Sequence, residues 1–174
     1  SEYTRRRPST QPRGILVGMP VDIEARVIRN TRLSADYNVL TLVAPEIART
    51  AAPGQFVMVH SSRGGNPLLR RPFSVFESLG RDGITLLSKR VGATTQLLYA
   101  AEAGDVVSCL GPLGTAFSTV ATPIEAWMVA GGVGLAPFAT LADSLRAKGT
   151  RTRLFYGAPT GDELFSLDWF SARA

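Results

Sequence analysis

"VAGGVGLAP", residues 129–137, is where the pattern of this 174-residue sequence changes. The apolar run "IEAWMVA" (124–130) leads into three glycines, Gly131, Gly132 and Gly134. An uninterrupted apolar strand of this kind is expected to be buried on both faces, as in a parallel sheet. In "LAPFATLADSLRAK" Leu135, Phe138, Leu141, Ala142 and Leu145 recur at helical spacing, and Gly149 marks a helix stop. "RTRLFYG" (151–157) predicts a second strand, and "DELFSLDWF" (162–170) the start of a second helix. Strand, glycine loop, helix, strand is a βαβ unit. Glycines at its first turn let a ligand approach the backbone, and the helix directs free N–H groups at it. The spacing does not complete the G-x-G-x-x-G fingerprint, so a tight turn without a ligand explains this loop equally well.

Upstream the period is two. "VDIEARVIRN" and "NVLTLVA" alternate apolar and polar residues, and "QFVMVH", "FSVFES", "GITLLSKRV" and "DVVSCLG" follow. Turn residues separate them: Ala44-Pro45, Pro53-Gly54, Gly64-Gly65-Asn66, Gly80-Arg81-Asp82-Gly83 and Gly104-Asp105. About six short strands in about 100 residues predict a small antiparallel barrel or sandwich, interrupted by one short helix in "TTQLLYAAEA". The fold class expected is therefore β followed by α/β. A disordered basic tail covers 1–20, a β-barrel 21–121, and a partial parallel α/β unit 122–174.

Composition removes several function classes. Of the net charge of +5, Arg5, Arg6, Arg7 and Arg13 against Glu2 contribute +3, so basicity belongs mostly to the tail and gives no case for nucleic acid. No apolar run approaches the length of a membrane span. No apolar segment follows the arginines at once, which argues against a secretory signal and for a cytoplasmic setting. A cleaved transit peptide is the alternative to an ordinary loose terminus. One cysteine and one histidine leave no disulfide framework and no His/Cys zinc site. Cys109 in "VVSCLGP" reads as a small core residue, and His60 at the end of "GQFVMVH" as an edge or surface residue.

Two further stretches carry polar chemistry. In "LLRRPFSVFES" (68–78) alternation puts Arg71 and Phe73 on one face of a strand and Ser74 on the other, with Pro72 holding the backbone extended. A guanidinium there can pair with phosphate, an aromatic can pack on a ring, and a hydroxyl can bond a heterocycle nitrogen. An exposed basic edge that discourages strand pairing is the alternative. In "SKRVGATTQLL" (88–98) Gly92, Thr94 and Thr95 precede a helix, which makes either an anion site or an ordinary N-cap.

Taken in order, these stretches resemble the ferredoxin–NADP reductase-like flavoprotein superfamily. "RPFS" resembles its R-x-[YF]-S flavin motif, "VGATT" its phosphate-contacting segment, "GPLG" (111–114) its strand-end turn and "GGVGLAP" its pyridine-nucleotide loop. "APEIARTAAPGQFVMV", "PLLRRPFSV" and "GDVVSCLGPLGTAFS" are most similar to electron-transfer subunits of class-B dihydroorotate dehydrogenases. The resemblance implies a Greek-key flavin barrel and a Rossmann-like unit. Arg71 is implied at the FAD pyrophosphate, and Pro72, Phe73 and Ser74 along the flavin. Ser88, Lys89 and Arg90 are implied at the adenine or ribityl side, Gly92, Thr94 and Thr95 at the diphosphate, and Gly131, Gly132 and Gly134 at NAD(H). Thr94 stands where relatives often have glycine. Relatives also continue through further strands and a cysteine cluster that holds [2Fe–2S], which these 174 residues do not contain.

The function implied is electron transfer between an FMN-bearing dihydroorotate dehydrogenase catalytic subunit and NAD, through FAD, in pyrimidine biosynthesis. Hydride transfer needs no acid or base from the protein, so no catalytic side chain is assigned. The alternatives are a subunit of an NAD(P)H:ferredoxin-type oxidoreductase serving another redox partner, and a non-catalytic flavin-binding or docking module. Flavin binding is expected to survive in this chain, with NAD(H) affinity weak or lost.

Overall fold

The alternating stretches form six strands that close on themselves. The computed structural model describes residues 19–61, 69–118 and 125–173. The expected basic tail up to residue 18, the Gly64-Gly65-Asn66 turn and the expected border at 121–122 lie outside the described residues. The strands are β1 (Val21–Arg32), β2 (Tyr37–Val43), β3 (Phe56–Ser61), β4 (Arg71–Leu79), β5 (Gly83–Lys89) and β6 (Val106–Leu113). They form a closed antiparallel barrel in the order β1-β2-β5-β4-β3-β6, the Greek-key barrel that the sequence predicts. Closure pairs the edges that an open sheet would expose.

Inward positions fill the barrel: Val27, Leu40, Leu42, Val57, Val59, Val75, Ile84, Leu86 and Val107 form one buried cluster. Cys109 belongs to it, and burial pushes its thiol up to about 12. His60 is half-buried near the end of β3, opposite Ser108 of β6. Two helices serve the barrel, α1 (Pro45–Ala48) and α2 (Ala93–Ala100). Leu98 of α2 is buried in the barrel cluster. The Asn30 side-chain amide lies 3.2, 3.0 and 2.9 Å from the carbonyls of Leu98, Tyr99 and Ala101, so it clamps the C-terminal end of α2. Asn38 donates to Asn30 at 2.8 Å and completes the clamp.

The second unit is β7 (Glu125–Gly131), a 3-10 turn (Gly132–Leu135), α3 (Ala136–Ala147) and β8 (Arg151–Gly157), with β7 and β8 parallel. A 3-10 turn (Gly161–Glu163) and α4 (Leu167–Ser171) follow. Phe76, the extra residue of a bulge in β4, and Leu87 of β5 carry the outer barrel wall into a second cluster. Met128, Leu135, Ala139, Leu145 and Phe170 complete that cluster. Phe117 stacks on Phe138 of α3 (5.8 Å between centroids) and lies over Gly54, where a side chain would come within 2.8 Å of its ring.

Two expectations need correction. β7 is not buried on both faces: Met128 is buried, but Trp127 and Val129 are 68% and 72% exposed. Among the described residues the sheet has two strands, α3 covers one face, and the rings of Trp127 and Phe155 lean together on the other. "DELFSLDWF" does not begin as a helix either. Glu163 and Phe165 are drawn to the barrel, Ser166 takes a left-handed φ of 58°, and the helix starts only at Leu167.

Candidate functional site

The described residues contain a cavity of about 480 Å³ between the barrel wall, α2 and the start of α3, within the usual range for small-molecule sites. Nine of the residues singled out in the sequence line it. Arg71, Pro72, Phe73 and Ser74 come from the start of β4, Ser88 and Lys89 from the end of β5, and Gly92, Thr94 and Thr95 from the entry to α2. Leu87, Val91, Ala93, Val133 and Ala136 complete the wall and were not anticipated.

Each strand places its side chains by alternation. Phe73 is buried with the barrel core and also lines the cavity, while Ser74 points the opposite way. The neighbouring arginines divide their work. Arg70 donates to both carboxylate oxygens of Asp22 (2.7 and 2.9 Å) and to the Ser108 hydroxyl (2.8 Å), which staples β4 to β1 and β6. Arg71 makes no ion pair among the described residues and lines the cavity, so its guanidinium is available to an anion.

At the α2 entry the Thr95 hydroxyl accepts from the amides of Val91 (2.8 Å) and Gly92 (2.9 Å) and donates to the Gly92 carbonyl (3.0 Å). Thr95 therefore shapes the turn from within. The first intrahelical bond runs from the Gln96 amide to the Gly92 carbonyl (2.8 Å). The amides of Ala93, Thr94 and Thr95 precede it and are the free donors of a helix start, beside the cavity. Gly92 is extended, and a Cβ there would meet nothing within 4 Å. The position is open space.

Ser88 borders the cavity from β5. It is 1% exposed, and its hydroxyl is buried on the Asn38 side of the strand with no hydrogen-bond partner among the described residues. A buried hydroxyl left unpaired costs about 1–3 kcal/mol, so such groups normally have partners. The Asn38 carbonyl oxygen, on the paired residue across β2 and β5, is unpartnered too.

Four of the singled-out residues lie elsewhere. Arg90 is held by Asp36 (3.0 Å) with its guanidinium over the Tyr99 ring, and Gly131, Gly132 and Gly134 do not line the cavity. The glycine loop meets the cavity through Val133 and Ala136. Gly132 has a φ of +52°, a conformation that favours glycine, and Gly134 faces open space.

Lys89 is engaged as well. Its ammonium lies 3.2 Å from the Glu163 carboxylate and 4.8 Å from the centre of the Tyr37 ring. Hydrogen bonding with Tyr37, and then with Glu163, holds Lys89 above its ordinary value. Lys89, and then Tyr37, holds Glu163 below the usual carboxylate range. Asn30, Asn38, Tyr37 and Glu163 were not among the residues singled out from the sequence. Asn38 carried a signal, a polar residue in register with the inward Leu40 and Leu42.

No protein-family model matches the chain. It is 34% identical over 136 residues to the electron transfer subunit of dihydroorotate dehydrogenase B (NAD(+)) of Desulforamulus reducens, covering 78% of this chain and 52% of that protein. The same-named subunit of Geobacillus kaustophilus is 34% identical over 153 residues, covering 86% of this chain and 60% of that protein. A solved NADH-dependent reduced ferredoxin–NADP oxidoreductase superposes with a TM-score of 0.74 at 28% identity, covering 84% of this chain and 52% of that one. The chain spans between about half and three-fifths of the length of these curated relatives. Its relatives are dihydroorotate dehydrogenase electron-transfer subunits, and its fold is that of the ferredoxin–NADP reductase-like flavoproteins.

Proposed function

We propose that this ferredoxin–NADP reductase-like chain binds FAD in the barrel cavity. In this reading it serves as the flavin-bearing part of an electron-transfer subunit working between a dihydroorotate dehydrogenase catalytic subunit and NAD. Residues 21–121 form the flavin barrel and 122–174 part of the nucleotide unit, in a cytoplasmic protein. The observation that carries the reading is the convergence of nine residues from three separate segments on one cavity.

The donor set fits the flavin nucleotide. Arg71 and the amides that open α2 offer positive charge and N–H donors to a diphosphate. Phe73, Leu87, Val133 and Ala136 offer apolar wall to a ring system, and Ser74 offers a hydroxyl to its heteroatoms. Bound there, the flavin supplies the redox chemistry that links the FMN-bearing partner to NAD. Gly132 and Gly134 leave room for the NAD(H) pyrophosphate at the start of α3. These 174 residues hold one cysteine, Cys109, so a [2Fe–2S] cluster like that of the family draws no cysteine set from them.

Anaerobic mixing of the FAD-loaded protein with NADH tests the reading: the visible flavin band bleaches. A protein that takes up no FAD contradicts it, and bound flavin that stays oxidised over excess NADH favours a non-catalytic flavin-binding module. A second reading rests on the 28% identity to the NADH-dependent ferredoxin–NADP oxidoreductase and makes ferredoxin-type carriers the partner. Co-purification with a dihydroorotate dehydrogenase catalytic subunit separates the two.

A further inference from the structure

The carboxylate of Glu163 follows β8 yet reaches two residues of the barrel wall, 126 and 74 residues away in sequence. It accepts from the Tyr37 hydroxyl at 3.0 Å and from the Lys89 ammonium at 3.2 Å. Tyr37 and Lys89 are directly paired across β2 and β5, so both project from the same side of the barrel wall. Lys89 lines the cavity. The Tyr37 hydroxyl sits 3.5 Å from where a Cβ on Gly132 would be, which puts it against the glycine turn. Glu163 is also fixed from its own side. The Tyr156 hydroxyl of β8 donates to its carbonyl at 3.2 Å, and Phe165 packs on the Tyr37 ring with 4.5 Å between centroids.

We propose that Glu163 is a positioning residue: it latches the segment after β8 to the cavity wall through Lys89 and Tyr37, fixes the Tyr37 hydroxyl against the glycine turn, and so sets how the two ligands meet. The inference rests on the flavin and nucleotide reading above. Glu163 touches neither the phosphate donors at α2 nor Arg71, so its removal disturbs the register of the two sites more than it disturbs flavin affinity. Hydride transfer is sensitive to that register, since a displacement of about 1 Å at a reacting centre can cost about a hundredfold in rate.

Two readouts test the proposal in Glu163→Ala, with Glu163→Gln and Tyr37→Phe beside it. Hydrogen exchange needs no flavin. In Glu163→Ala the amides of 131–136 and 161–166 exchange about tenfold faster, while β1–β6 stay within about twofold of wild type. In FAD-loaded protein the limiting rate of flavin reduction by NADH falls about tenfold or more, a larger change than that in the FAD dissociation constant. Glu163→Gln keeps an acceptor for Tyr37 and recovers part of both effects. Tyr37→Phe keeps the ring on Phe165 and shows the same changes in smaller size. Exchange that rises equally throughout the barrel, or an unchanged reduction rate, overturns the latch. A wild-type protein that NADH does not reduce removes the rate effect and points to the non-catalytic module, and the exchange data still decide whether the latch exists.

Discussion

The barrel closes on itself, whereas the two-stranded sheet beside it leaves one face open. In the barrel every strand has neighbours on both sides, inward side chains form one cluster, and α2 is clamped at its C-terminal end by Asn30. In the β7–β8 unit one face packs with α3 against the barrel wall and the other shows Trp127, Val129 and Phe155. The proposed flavin site draws nearly all its residues from the finished half and only Val133 and Ala136 from the other. A chain built this way holds its cofactor cavity by barrel closure and places the glycine loop by contact with that barrel.

The contrast can be broken by substitution. Leu86→Ala, in the middle of the closed core, should cost about 2–5 kcal/mol in urea unfolding. A loss below about 1 kcal/mol would show the barrel interior to be looser than its burial suggests. Asn30→Ala should cost about 1–3 kcal/mol by leaving the α2 carbonyls short of a donor, and should weaken FAD binding if the start of α2 supplies the proposed phosphate donors. Stability lost with FAD affinity intact would separate the clamp from the site.

Trp127→Ser, on the open face, should change stability by no more than about 0.5 kcal/mol in this chain. A large loss there would mean that the face is covered in solution. The smallest effect concerns pH and the Glu163 latch. The folded pKa of Glu163 is lowered, so its contribution is complete above the unfolded carboxylate value of about 4.3 and is lost as pH falls through the folded value. The pKa of Lys89 is raised, so its contribution is complete below about 10.4 and fades as pH rises through the folded value. The difference in thermal midpoint between wild type and Glu163→Gln should stay flat between those limits and shrink on both sides. A difference that peaks at either extreme would refute the pairing.

Much of this was legible in the sequence, for physical reasons that also explain the rest. Alternation in "VDIEARVIRN" and "NVLTLVA" marks the strands because one face of each meets a core. The polar Asn38 stands out at an inward position for the same reason. Asn30 does not stand out, because the bulge between Val27 and Arg29 shifts the parity of β1 ahead of it. An apolar run such as "IEAWMVA" identifies a strand of a parallel sheet but cannot say whether both faces are covered. Nine of thirteen site residues converge because they sit at strand ends and a helix start, where local pattern fixes direction. The Glu163 latch was invisible because it depends on contacts between residues far apart in the chain, which no local pattern encodes.

The most direct test of the central claim is a titration of flavin-free protein with FAD, followed by flavin fluorescence, in wild type and Arg71→Ala. The expected result is saturable binding of one FAD per chain, weakened about tenfold, or about 1.4 kcal/mol, in the variant. No saturable binding, or affinity unchanged in Arg71→Ala, would contradict it.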